Sequence, residues 1–167
     1  LAAHFARMWG AVADEVVSEY PDCRPWDLLR ETVRRAVRMN HDVLATSARW
    51  RTFRALTMSL DSFPEDESAV LSARLHGIQE DYVTTMAARY AAIFERFGVR
   101  LREGIDIRHF TGAASSALEG IATDRAFGPD QPEQFVTLPG IDGDPVEWNV
   151  AAVAFLALIE GMTESAR

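Results

Sequence analysis

Lysine is missing from this chain: all 17 basic residues are arginine. Together with abundant alanine, this points to GC-rich coding bias rather than a functional choice. Cysteine occurs once, at Cys23, which excludes an internal disulfide and agrees with a reducing cytoplasm. No run reaches the roughly 20 apolar residues that span a bilayer. No charged-then-apolar signal peptide opens the chain. A soluble cytoplasmic protein with no membrane partner is therefore expected.

Catalytic signatures are equally scarce. The sequence contains no Gly-rich phosphate loop, no G-x-S-x-G elbow and no H-E-x-x-H. His4, His41, His76 and His109 fall on four different predicted helices, and the Glu-x-x-His pairs of di-iron bundles do not occur. Asp106 and His109 have a one-turn spacing that could hold a metal, but they read better as a helix cap and an ordinary histidine. Cys23, beside Arg24, has no partner and reads as an inert thiol. No catalytic residue, metal site or cofactor is expected.

The net charge of −8 argues against nucleic-acid binding over the whole surface. That charge is uneven. Between residues 24 and 54, eight arginines face only Asp27, Glu31 and Asp42, giving +5, and the remainder carries −13. A solvated helix face accounts for this basic segment most simply. Contact with a DNA-binding module, or with phosphates near it, is the functional alternative.

The 167 residues, 48% of them hydrophobic, suit one domain burying roughly 70% of its unfolded surface. Helical periodicity covers most of them. A first helix, with Phe5, Trp9, Val12 and Val16 on one face, runs to about Glu19. No start signal precedes it, so the chain is expected to begin inside something longer. A second helix starts near Pro25, with Trp26, Leu29, Val33, Val37 and Leu44 on its apolar face. A short third runs from about Ala48 to Leu60. "SFPE" reads as a capping box with Ser62 as cap and Glu65 three residues on. It opens the longest helix, whose inner stripe is Leu71, Leu75, Ile78, Tyr82, Met86, Tyr90, Ile93 and Phe97. Gly98 supplies a left-handed stop. A fifth helix starts near Asp106. A Gly- and Pro-rich loop follows, with one short extended piece at "QFVTL", and Asp144-Pro145 opens a last helix ending near Thr163. No alternation is long enough for a sheet, so the expected class is all-α with six helices.

The last two helices are unusual. "VAAVAFLALI", Val150 to Ile159, is apolar on nearly every side, and a helix of that kind is buried on every side. In the fifth helix Phe110, Ala114, Ala117 and Ile121 suit a core. Gly112, Ser116 and Gly120 recur every four residues opposite them and form a small-residue stripe. Glycine in a helix interior costs about 0.5–1 kcal/mol against alanine, so the stripe needs a reason. Close approach of a second subunit supplies one. Pairing these helices across a two-fold axis gives a four-helix-bundle homodimer, with Gly112, Ser116, Gly120, Val150, Ala154 and Leu158 at the interface.

"IRHFTGAASSALEGIATDRAFGPD", followed by a loop and a final apolar helix, resembles the C-terminal regulatory domain of tetracycline-repressor-like (TetR family) transcription factors. An alanine-rich helix there commonly carries a Leu-Glu-Gly-Leu-like step before a loop, as "LEGI" does at 118–121. The six-helix layout fits over essentially the whole chain. The resemblance implies that the last two helices form the homodimer and the preceding ones enclose a pocket for a small hydrophobic or amphipathic effector. It also implies that effector binding respaces two N-terminal helix-turn-helix modules and so alters DNA affinity. This chain contains no helix-turn-helix, so DNA is expected to be a partner only through a module missing from these residues.

A pocket of this kind is mostly apolar with a few polar groups. Tyr82, Met86 and Tyr90 offer aromatic area and hydroxyl handles. Asn40 lies near the apolar face of the second helix, and Trp9, Trp50, Phe53 and Phe110 could form walls. A helical-bundle carrier or enzyme for a hydrophobic small molecule is the alternative from another class. An interaction domain without a ligand is the third.

Overall fold

The computed structural model describes residues 2–127 and 135–166. Six helices carry the fold: α1 (Ala2–Glu19), α2 (Pro25–Thr46), α3 (Ala48–Met58), α4 (Glu65–Arg96), α5 (Ile107–Phe127) and α6 (Val150–Met162). Four short strands accompany them: β1 (Val99–Leu101), β2 (Phe135–Pro139), β3 (Pro145–Asn149) and β4 (Thr163–Ser165). The domain is thus mostly all-α, as its helical periodicity predicts.

The core is an aromatic junction of four helices. Trp9 of α1, Tyr90 and Phe94 of α4, Phe110 of α5 and Phe155 of α6 are all buried. Tyr90 and Phe110 meet edge to face at 5.5 Å, and Phe110 and Phe155 do so at 5.6 Å. Trp9 stands edge-on to Tyr90 at 5.4 Å. Aromatic pairs in such geometry contribute about 0.5–1.5 kcal/mol beyond their buried area. Val33, Val37 and Leu44 of α2 close the core from another side.

Polar contacts join α1 to α2. Glu31 is buried yet charged, and it accepts hydrogen bonds from Arg34 (2.6 Å) and Arg35 (2.6 Å). Burial pushes its carboxyl up, but those two guanidinium groups outweigh burial and hold it below the ordinary carboxylate range. Arg35 also reaches Glu15 and Glu19 of α1.

The basic segment is therefore largely occupied within the chain. The guanidinium of Arg30 lies over Trp148 at 5.7 Å and that of Arg38 over Phe135 at 5.4 Å, fastening the β2–β3 ribbon to α2. Arg34 donates to the carbonyl of Glu147.

That ribbon corrects two expectations. The extended piece at "QFVTL" has a partner: β2 pairs antiparallel with β3, with Val136 opposite Trp148 and Pro139 opposite Pro145. Asp144-Pro145 opens this strand rather than the last helix. The alternation of Pro145, Val146, Glu147 and Trp148 directs Trp148 inward and leaves Glu147 exposed. Helix α6 starts only at Val150, where Asn149 caps it by accepting from the amide of Ala152 at 2.8 Å. The 128–134 part of the expected loop lies outside the described residues. A second ribbon pairs β1 with β4.

Two further boundaries differ. Helix α3 ends at Met58, and a 3-10 turn follows at Leu60–Ser62. Ser62 does not cap α4. Its hydroxyl donates to Ser59 O at 2.6 Å, and α4 opens after Pro64 without a side-chain cap. Phe63, preceding a proline, is held extended. Glu65, Asp66 and Glu67 complement the N-terminal dipole instead. The C-terminal stop is as expected, with Gly98 at φ +64. Leu75 and the inner stripe of α4 from Met86 onward are buried, but Ile78 is 56% exposed.

Phe110→Ala removes the ring that Tyr90, Phe94 and Phe155 all touch. We expect it to destabilise the domain by about 3–5 kcal/mol in urea unfolding. A loss under about 1 kcal/mol would show that the junction repacks around a smaller residue.

Candidate functional site

A sharp bend positions the site. Ser47 ends α2 and begins α3, and its hydroxyl accepts from the amide of Trp50 at 3.2 Å. Trp50 is the buried residue of α3, and Phe53 is half-buried. Between α3 and the bundle lies a cavity of about 410 Å³, bounded by residues of five helices.

Each wall follows from helical spacing. From α4 come Ile78, Gln79, Asp81 and Tyr82, and from α5 come Ser115, Leu118 and Glu119. Residues three and four apart share a helix face. Leu44 closes the α2 side, Arg49, Trp50 and Phe53 the α3 side, and Ala2 the start of α1. A volume of this order suits a drug-sized molecule.

The polar groups sort by depth. Arg49 and Asp81 are exposed at the rim. Deeper in, Glu119 keeps 18% of its side-chain exposure and accepts from Arg54 Nη1 at 3.1 Å. Burial raises the Glu119 carboxyl above its ordinary range, and Arg54 only partly opposes this. The Tyr82 phenol is pushed up to about 12 by burial, against the pull of the neighbouring Ser115 hydroxyl. It is a neutral hydrogen-bonding group at physiological pH.

Of the candidate wall residues, Trp50, Phe53 and Tyr82 line this cavity. Trp9, Met86, Tyr90 and Phe110 belong to the core junction and do not reach it. Asn40 is fully buried, and neither its amide oxygen nor its amide nitrogen has a hydrogen-bond partner among the described residues. The Tyr90 hydroxyl is in the same condition, and burial raises it well above its usual range.

Sequence reasoning passed over Ala2, Leu44, Arg49, Ile78, Gln79, Asp81, Ser115, Leu118 and Glu119 as site residues. A signal existed for three of them. Ser115, Leu118 and Glu119 stand at i, i+3 and i+4, one step round the helix from the Phe110/Ala114 face.

The presumed interface residues lie elsewhere. Gly112 is half-buried, while Ser116 and Gly120 are exposed. A methyl group placed on Gly112 or Gly120 would meet nothing within 4 Å. On α6, Ala151, Ala152, Phe155, Leu156 and Ile159 are buried, in a helix packed on α2 and α5. Val150, Ala154 and Leu158 are only half-buried, and Ala157 and Gly161 are exposed. A single chain thus leaves part of this apolar helix uncovered.

Asp106 serves as a helix cap, its carboxylate accepting from the amide of His109 at 2.8 Å. Among the described residues, no group of three or more His, Cys, Asp or Glu side chains could hold a metal ion. None of their helices is long and apolar enough to cross a membrane. The chain matches no protein-family model, no curated protein and no solved structure.

Because the folded protein holds the Glu119 proton more tightly than the unfolded chain does, ionising Glu119 costs stability. That cost grows as pH rises through the carboxylate range. Glu119→Gln should therefore gain on the native protein between pH values of about 4 and 7, measured by urea unfolding at both. A change in the opposite direction would mean that the Arg54 pair outweighs burial.

Proposed function

We propose that this chain is the small-molecule-sensing and dimerisation domain of a TetR-like transcriptional regulator. The observation that carries the reading is the five-helix cavity of about 410 Å³. Its walls combine Trp50, Phe53, Leu44 and Leu118 with a few polar groups, the composition of a site that recognises an organic molecule. The resemblance of residues 107–130 to the regulatory domain of that family agrees with it.

The wall most exposed to change is α3. Trp50 is its one buried side chain among the described residues, and the Arg54–Glu119 pair ties it to α5. A ligand that fills the cavity with α3 in one position and not in another shifts the balance between the two. Differential affinity of that kind is what any sensor requires. The uncovered faces of α5 and α6 support a two-fold four-helix bundle as the route by which such a shift passes between subunits. DNA would be reached through a helix-turn-helix module outside these residues.

Two measurements test the reading. N-phenyl-1-naphthylamine, a neutral fluorophore, should bind the domain, and Ile78→Trp should weaken it about tenfold by crowding the cavity mouth. Equal binding by the variant would place the probe elsewhere and remove the cavity from the proposal. For the dimer, Gly120→Leu improves helix propensity, and a Cβ at this exposed position meets nothing within 4 Å in the single chain. The variant should therefore stay helical by circular dichroism while light scattering shows a monomer. An unchanged dimer mass would take the small-residue stripe out of the interface.

A further inference from the structure

The class of molecule can be narrowed, on the footing that the cavity is a ligand site. At the rim, Arg49 and Asp81 carry opposite charges and set no net preference. The charge inside is Glu119. The structure records one hydrogen bond to its carboxylate, from Arg54 to Oε2, and Arg54 is not among the residues lining the cavity. Glu119 Oε1 receives none from the described residues. A largely buried carboxylate that lines the cavity and has one oxygen without a donor is complemented by a positive hydrogen-bond donor.

The rest of the lining points the same way. Trp50, Phe53 and Tyr82 bound the same cavity, and aromatic faces attract cations more strongly once water is excluded. Ser115 and Tyr82 add neutral hydroxyl groups. An anionic ligand would meet Glu119 at close quarters. A purely apolar one would leave Oε1 without a donor.

We propose that the cavity takes a protonated organic amine, its ammonium group at Glu119 and its apolar body against Trp50, Phe53 and Tyr82. The elevated carboxyl pKa of Glu119 adds support, since a cation offsets the burial that causes it.

Three dansyl probes with the same five-carbon tether test this by dansyl emission. One ends in a primary ammonium, one in an acetamide and one in a carboxylate. The ammonium probe should bind about tenfold more tightly than the acetamide. Glu119→Gln should abolish that preference and leave acetamide binding within about twofold. Glu103→Gln, at an exposed carboxylate that does not line the cavity, should preserve it. Equal binding of all three probes, or tightest binding of the carboxylate, overturns the amine assignment and leaves a small-molecule site standing. Persistence of the preference in Glu119→Gln also overturns it, by placing the ammonium away from Glu119. Failure of every probe to bind overturns the amine assignment and the ligand-binding reading together. Because the three probes are compared on the native protein, the central result does not depend on how the variants fold.

Discussion

The meeting of aromatic rings at Phe110 is the contact on which the other elements depend. Helices α1, α4, α5 and α6 each send a ring into it, and edge-to-face geometry fixes their relative rotation as well as their distance. Once α4 and α5 are set against each other there, the next turns of each helix are set too. Tyr82 lies two turns before Tyr90 on α4, and Leu118 two turns after Phe110 on α5. Those next turns are the cavity walls. The site thus inherits its geometry from a core to which it contributes little.

Electrostatics reinforce the frame where packing is thinner. The Glu31 carboxylate with Arg34 and Arg35 is a buried charge group that is costly to break once formed. It ties α1 to α2 on the side away from the cavity. Two arginines stacked over Trp148 and Phe135 then hold the ribbon. The strong positive segment in the sequence is accordingly spent inside the chain to a large extent, a use that formal charge cannot distinguish from a nucleic-acid footprint.

Most of the helical frame was legible because periodicity, Pro25 and Gly98 are local signals. The β2–β3 ribbon was not, since the four strand residues after Asp144-Pro145 are too few to outweigh a dipeptide that also opens helices. Ser62 had the right neighbours for a capping box, but a 3-10 turn claimed it. The site was legible in part. Tyr82, Met86 and Tyr90 share one stripe of α4, and nothing in the spacing says where the core ends and the cavity begins. That division depends on α3, whose path is set by the bend at Ser47. Glu119 was hidden for the same reason, being an ordinary helix-face carboxylate until α3 covers it.

Ser47 belongs to two helices at once, with φ −74 and ψ 111. It acts as the pivot of a lever. The eleven residues of α3 make an arm about 16 Å long, so a tilt of about 10° at the pivot moves the far end by about 3 Å. A change in backbone torsion too small to disturb the capping hydrogen bond can therefore become a displacement of atomic size at Met58 and in the turn leading into α4.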